Sequence, residues 1–371
     1  MTEHDPALAR LIDRVRAAQQ TRTPLCIRGG GTKDFYGETP QGERLSTTEL
    51  AGISSYQPTE LVVTVRCGTP LAELEAVLAD KGQCLPFEPP HFSEGATVGG
   101  MVAAGLSGPS RATTGAVRDY ILGAVLLNGQ GEVLSFGGQV IKNVAGYDVS
   151  RLLAGSLGTL GVILEVSIKV LPVAPATVTL RFDRAQAAAL AQLHQWGGQP
   201  LPLNASALWN DQLVVRLRGA VAAVQAASTK FQALGGEVTD PALADTFWQG
   251  LRDHRDEFFT ATRAAVDAGG ALWRLSVPQT APVLDLPGTP LVEWAGAQRW
   301  CVTSRADAQT ATRLRDIARQ AGGHATLFRS ADKSAGVFAP LTSPLDRIHR
   351  ELKRSFDPHG VFNLGRLYPG G

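Results

Sequence analysis

The stretch from residue 95 to residue 115, Gly-Ala-Thr-Val-Gly-Gly-Met-Val-Ala-Ala-Gly-Leu-Ser-Gly-Pro-Ser-Arg-Ala-Thr-Thr-Gly, limits what this chain can fold into more than any other. It holds too few large side chains for an ordinary core helix, which buries a stripe of bulky apolar residues. A stretch of this kind presents backbone. Glycine lets main-chain N–H groups come close to a ligand, and successive N–H groups in turns form concave nests for anions such as a pyrophosphate. Gly99, Gly100, Gly105, Gly108 and Gly115 are therefore candidate ligand-facing positions. A tight packing seam between a helix and a sheet is the other use of such residues, and the stretch alone does not choose between them.

Two further segments favour the ligand. Arg28-Gly-Gly-Gly-Thr-Lys follows the apolar run 24–27, so a short strand ends in a glycine turn that makes a second phosphate cradle. It has neither the G-x-x-x-x-G-K-[ST] spacing of a P-loop nor the G-x-G-x-x-G of a Rossmann turn, which argues against a nucleotide triphosphatase. Residues 155–172 begin with a glycine turn and continue as a strand with Val162, Leu164, Val166 and Ile168 alternating on one face.

Five segments in this order, 28–33, 96–100, 119–123, 142–148 and 155–163, resemble the FAD-binding domain of the vanillyl-alcohol oxidase and p-cresol methylhydroxylase (PCMH) superfamily, in its glycolate oxidase and D-lactate dehydrogenase branch. The tail 356–366 is similar to the family's C-terminal segment, which folds back onto the flavin. The resemblance implies an α+β chain. A two-lobed PCMH-type FAD-binding domain would span 1–174, and a smaller antiparallel-sheet cap with helices on one face would span 175–340. Residues 341–371 would return to the FAD domain.

The implied FAD lies extended between the lobes, its pyrophosphate on the glycine loops. The residues implied to bind it are Arg28, Gly29, Gly30, Gly31, Thr32 and Lys33 in the first loop, and Pro90, Thr97, Val98, Gly99, Gly100, Ala103, Gly105, Gly108 and Gly115 in and before the second. Gly158, Thr159, Gly161, Val162 and Ile163 follow, with Asn363 in the tail. Residues 29–33 contain no histidine where covalently flavinylated relatives carry one, so the flavin is expected to be non-covalent, with His91 the alternative point of attachment. Lys142, Asn143, Tyr147 and Asp148 sit in a loop that reaches cofactor or substrate, or is an exposed turn; no role is assigned to them.

The implied function is that of the FAD-binding subunit of a complex oxidising glycolate to glyoxylate, with a larger homologous flavoprotein and an iron–sulfur subunit as partners. The alternatives are an independent FAD-dependent 2-hydroxy-acid dehydrogenase and an NADPH-dependent flavin reductase. Relatives that oxidise 2-hydroxy acids often carry an H-x-G-D-G-N-x-H segment around a metal; it is absent here, and no metal is expected. Leu157 and Leu364 also depart from the family, which often has Glu and Pro there. The remaining catalytic candidates are Arg274 and Arg299, whose guanidinium forks suit a carboxylate, and the isolated His324. For Arg274 the alternative is an outward ion pair on its strand.

Composition agrees with these limits. Lys and Arg number 35 against 34 Asp and Glu, a net charge of +1, so no long-range field attracts nucleic acid. Residues 5–16 read as a charged amphipathic helix rather than a secretory signal, which places the protein in the cytoplasm, at the membrane only through partners. Cys26, Cys67, Cys84 and Cys301 are too dispersed to hold an iron–sulfur cluster and are expected to be buried and reduced. In the cap, strand and helix patterns repeat as 177–182, 184–196, 205–209, 212–218 and 220–234, then as 272–277, 291–294, 298–303, 306–321 and 324–329. The intervening 247–259 reads as one surface helix with a solvated charged face.

Overall fold

The first helix, Pro6–Thr21, starts where Asp5 accepts hydrogen bonds from the main-chain N–H groups of Ala7 and Leu8, and Pro6 occupies its first turn. Leu8, Leu11, Val15 and Ala18 form its buried stripe. The helix runs beyond the expected residue 16 because this stripe continues through Ala18, and it ends at Arg22 in the left-handed conformation. The computed structural model describes residues 5–138 and 148–368.

The described chain divides into two units. The first comprises Met1–Leu106, Ala116–Pro172 and Pro340–Gly371; the second comprises Ser107–Gly115 and Val173–Ala339. Residues 107–115, the second half of the small-residue stretch, therefore belong with the second unit.

In the first unit a five-stranded antiparallel sheet has the order Ile53–Gln57, Val62–Arg66, Val162–Lys169, Ile121–Leu127 and Val133–Gly137. The last two pair as the hairpin that Asn128-Gly-Gln-Gly predicts. Strand Val62–Arg66 sits in this larger sheet, not in a separate first lobe as its sequence neighbours suggest. Val62, Val63 and Val65 are buried on both faces, as a central strand requires. Val162–Lys169 is likewise buried on both faces from Val162 to Ile168, so its alternation does not mark a solvent side. The smaller lobe pairs Leu25–Arg28 in parallel with Glu43–Ser46, and Phe362 of the tail bridges to Leu25. Of residues 83–87, expected as a strand, Gln83–Cys84 pair with Leu171–Pro172, and the chain then turns, the Glu88 N–H donating to the carbonyl of Leu85 at 3.1 Å; Pro86 has no N–H to continue the ladder.

The tail is fastened by a buried ion pair. Lys353, in the helix Leu345–Phe356, places Nζ 2.5 Å from Asp357 Oδ2 and donates to the carbonyls of Thr159 and Phe362, each at 2.8 Å. The Asp357 side chain has no exposed surface and also accepts from the N–H groups of Val361 and Phe362.

The second unit holds an eight-stranded antiparallel sheet. Its order is Glu237–Val238, Ala176–Asp183, Gln212–Gly219, Leu203–Trp209, Leu291–Glu293, Gln298–Thr303, Ala271–Ser276 and His324–Ser330. Helices Gln186–Gly197 and Val221–Ala233 pack on Leu180 and Phe182, and Ala308–Gln320 packs on Trp273 and Leu275. The segment expected to be one surface helix is instead two, Pro241–Arg252 and Glu257–Asp267, with Phe258 and Phe259 buried. They cover the opposite face, because Trp248 donates to Thr179 and Phe259 lies against Trp300, both on the alternate side of their strands. Asp253 at the break is 2% exposed between Arg252 and Arg255, so that charge run is not wholly solvated.

Replacing Lys353 by Met leaves the Asp357 carboxylate buried without its cation and is expected to cost about 3–5 kcal/mol. Urea unfolding followed by circular dichroism measures this. Circular dichroism is the suitable probe because all six tryptophans, residues 196, 209, 248, 273, 294 and 300, lie in the second unit.

Candidate functional site

Strand Leu25–Arg28 delivers the glycine turn to the wall of a cavity of about 90 Å3. The wall is made by residues 27–34, by Thr97, Gly100, Ala103 and Ala104 of the second glycine segment, by Leu157, and by Asn363 and Arg366 of the tail. The two glycine segments meet as bare backbone: a Cβ on Gly30 would lie 1.7 Å from the carbonyl oxygen of Gly95. Thr97 caps the short helix Val98–Ala104 by accepting from the N–H of Gly100 at 3.3 Å.

The tail completes the wall. Asn363 Oδ1 accepts from the N–H of Ile27 at 2.7 Å, its Nδ2 donates to the carbonyl of Leu157 at 2.6 Å, and its main-chain N–H donates to Leu25. Arg366 is 7% exposed and donates to the carbonyls of Glu38, Asp34 and Lys33. Arg28 pairs with Asp34 at 2.6 Å, while its Nε is buried and makes no hydrogen bond. Lys33 lies over the ring of Phe92, 5.5 Å from its centroid. Three cations, bare glycine backbone and an unspent buried donor suit an anion with several oxygens.

Of the residues singled out in the sequence, the cavity brings together Arg28, Gly29, Gly30, Gly31, Thr32, Lys33, Thr97, Gly100, Ala103 and Asn363. Gly99 faces the core, its N–H donating to Cys67 at 2.7 Å and the site of its missing Cβ 2.6 Å from the Cys67 Cβ; here the packing-seam alternative holds. Val98 is buried in the same core. Gly105 closes the short helix, and Gly158 lies beside Asn363. Thr159 holds Lys353 through its carbonyl, and Pro90 is buried. Val162 and Ile163 are buried in the sheet, opposite Leu127 and Leu126, and Gly161 packs against the carbonyl of Leu127. One backbone edge of Val162 and Ile163 is thus paired within the ladder, while the pairing with Val62–Arg66 on the other side begins only at Glu165. Gly108 and Gly115 belong to the second unit, where Gly108 accepts from the indole of Trp294 at 3.0 Å. His91 is held by Glu75 at 2.9 Å and does not line the cavity. Lys142, Asn143 and Tyr147 lie outside the described residues; Asp148 pairs with Arg151 at 2.7 Å. Arg366 and Leu157 went unassigned in the sequence reading. The signal available for Leu157 was its departure from the family pattern.

The catalytic candidates fall in the second unit. Arg299 is fully buried and donates to the carbonyls of Gly296, Ala281 and Pro282, so its fork is spent on backbone and is not open to a carboxylate. Arg274 lies over Phe328, 5.4 Å from its centroid, on the face that Glu257–Asp267 covers. It is therefore not an outward surface residue. His324 is exposed at the start of its edge strand, opposite Ser276. What the sequence did not reveal is a group of buried and half-buried ionisable residues around Trp300. Glu293 accepts from Trp300 Nε1 at 2.6 Å and from Gln298 Nε2 at 2.8 Å. Burial pushes its carboxyl up to about 7, opposed by these two hydrogen bonds and reinforced by Asp256. Asp256 is itself raised by burial to about 6. His254 stacks on Phe259 at 3.6 Å, and burial, then Arg329, Arg274 and Arg263, hold it well below the usual imidazole range.

Cys67 and Cys301 are buried, their thiols pushed up to about 12 chiefly by burial, whereas Cys26 and Cys84 are half-buried, contrary to expectation. Among the described residues no group of three or more His, Cys, Asp or Glu side chains is placed to hold a metal ion, and no helix is long and apolar enough to cross a membrane.

Fold and cavity together define a flavoprotein of the PCMH type, and residues 8–137 match the FAD-binding domain family. Alkyldihydroxyacetonephosphate synthase shares the fold over 98% of this chain and 74% of its own, at a TM-score of 0.67 and 16% identity. The glycolate oxidase subunit GlcE of Escherichia coli K12 is 46% identical over 96% of both chains. This chain belongs to that family of glycolate oxidase subunits, and its cofactor is FAD. The D-lactate dehydrogenase of Archaeoglobus fulgidus is 33% identical over 43% of this chain and 35% of its own. The glycolate oxidase subunit GlcD of Bacillus subtilis is 31% identical over 41% and 32%.

The raised Glu293 carboxyl sets a pH dependence. The unfolded chain loses this proton near 4.5 and the folded chain near 7. Between those values the unfolded state binds fewer protons, so the second unit loses stability as pH rises, by about 3 kcal/mol across the window. Tryptophan fluorescence during urea unfolding at pH 5 and pH 8 measures this, and Glu293→Gln is expected to abolish most of the difference. Asp256 acts in the same direction as Glu293 and His254 oppositely, its neutral form costing stability as pH falls below 6.5, and both contributions are common to wild type and variant.

Proposed function

We propose that this chain is the FAD-carrying subunit of a complex that oxidises glycolate to glyoxylate, with a larger homologous flavoprotein and an iron–sulfur subunit as partners. The observation that carries this reading is extent. The likeness to a glycolate oxidase subunit runs through 96% of both chains, whereas the likeness to D-lactate dehydrogenase covers 43% of this one. The fate of Arg299 supports dependence on partners, since a guanidinium expected to hold the substrate carboxylate is instead spent inside the second unit. Any membrane association would come through partners, from the cytoplasmic side.

Residues 28–33 and the first turn of Val98–Ala104 would hold the pyrophosphate. The unspent Arg28 Nε and the missing Cβ of Gly100 support that placement. When bound, FAD supplies a two-electron acceptor for the Cα hydrogen of a 2-hydroxy acid. The chain's own residues bind and orient it. Arg28 and Lys33 offset phosphate charge, Asn363 fixes the spacing between the glycine turn and the Leu157 loop, and Ala103 and Leu157 form an apolar side of the cavity.

Gly100→Val tests the placement cleanly, because a Cβ at Gly100 would meet only Thr97 Oγ1, at 3.1 Å, and would otherwise project into the cavity. FAD content per chain is expected to fall about tenfold or more at an unchanged circular dichroism spectrum. Full flavin content would refute the placement. Acid precipitation is expected to release the flavin; colour retained in the washed pellet would point to a covalent link. For function, the FAD-loaded chain is assayed with glycolate or D-lactate and an artificial dye. Turnover is expected to require the partner subunits. Rapid turnover by the isolated chain would restore the independent dehydrogenase, and anaerobic bleaching by NADPH would restore the reductase.

A further inference from the structure

Arg28 and Asp34 stand at the two ends of the glycine turn, and both line the cavity. The guanidinium folds back over Gly31, where a Cβ would fall 2.2 Å from one of its terminal nitrogens, and reaches Asp34 Oδ2 at 2.6 Å. The turn is closed beneath the pair by the Asp34 N–H donating to the carbonyl of Gly31 at 3.1 Å. This arrangement is odd for an anion site. It places a carboxylate, 43% exposed, against the wall that would receive a pyrophosphate, and it engages the best-placed cation while leaving its Nε buried and unspent.

We propose that Asp34 is an internal stand-in for the cofactor's phosphate: its carboxylate holds Arg28 over the glycine turn in the cofactor-free chain and is displaced from it when FAD binds. The inference rests on the placement of the pyrophosphate proposed above. An unpartnered guanidinium beside Lys33 and Arg366 would repel its neighbours and loosen the turn, and Asp34 relieves that repulsion until a phosphate arrives. The same carboxylate then opposes binding, because it must surrender its partner and remain near a doubly charged group. Asp34 thereby exchanges affinity for a cradle that stays formed without its ligand.

The sign of one substitution separates this from a purely structural clasp. Asp34→Asn keeps size and hydrogen-bonding shape while removing the charge. If Asp34 stands in for phosphate, the variant binds FAD about three- to tenfold more tightly and its apoprotein melts at a lower temperature. If Asp34 only braces the turn, the variant binds FAD more weakly. The experiment titrates full-length apoprotein with FAD, following flavin fluorescence at low and at physiological salt, and records the melting temperature with and without FAD. Arg28→Gln is expected to weaken FAD about tenfold or more and to flatten the salt dependence. Unchanged or weaker binding by Asp34→Asn, in a protein whose Gly100→Val counterpart loses FAD, overturns the stand-in alone. Wild-type FAD affinity in Gly100→Val overturns the placement and the stand-in with it. Should Asp34→Asn fail to fold, Asp34→Ser carries the same test.

Discussion

The side chain of Asn363 is the point on which the first unit's site depends. One residue joins three segments: its side-chain amide accepts from Ile27 and donates to Leu157, and its main-chain N–H donates to the carbonyl of Leu25. An unmade buried hydrogen bond costs about 1–3 kcal/mol. The tail can present Asn363 only because Asp357 and Lys353 anchor the segment that precedes it, and Arg366 then ties down the loop that follows the glycine turn. The cavity wall is thus set by residues remote in sequence, and the glycine segments meet directly as backbone with no side-chain bulk between them.

Much of this was legible in the sequence, and the failures have physical causes. Caps, alternation and the Asn128-Gly turn located most elements, because these signals act over a few residues. The glycine segments announced a backbone surface. They did not say which glycine faces the ligand: adjacent Gly99 and Gly100 differ only in helix phase, and it takes Cys67 behind the helix to show that Gly99 serves packing. Asn363 was recognisable from its family segment, whereas Arg366 was not, because its role lies in reaching carbonyls more than 300 positions earlier. Leu126 and Leu127 take one backbone edge of Val162 and Ile163, a tertiary pairing that the sequence does not show.

The second unit shows the same limit for charge. Glu293, Asp256 and His254 carry no distinguishing pattern in the sequence, and the run 252–257 has the composition of a wet surface. The aromatic residues Phe259, Trp300 and Phe328 decide otherwise by drawing the helix Glu257–Asp267 onto the sheet and taking the ionisable groups with it. Arg299 went astray for the complementary reason. A guanidinium on a strand looks like a ligand for an anion, but a loop at 281–282 and the turn at Gly296 offer it three carbonyls first.

The passage of residues 107–115 into the second unit bears on how this family can be re-engineered. That unit cannot be lifted out as the single cassette 173–339. Such a fragment would lack the Gly108 carbonyl that receives the Trp294 indole, the Arg111 guanidinium stacked on that indole 4.7 Å away, and the Thr113 hydroxyl that donates to the carbonyl of Asn204. The first unit, cut into three pieces along the chain, is no more separable. Exchange of caps between relatives must therefore carry a nine-residue insert from inside the flavin half as well, and a chimera joined only near residue 173 would splice one cap onto another's anchor.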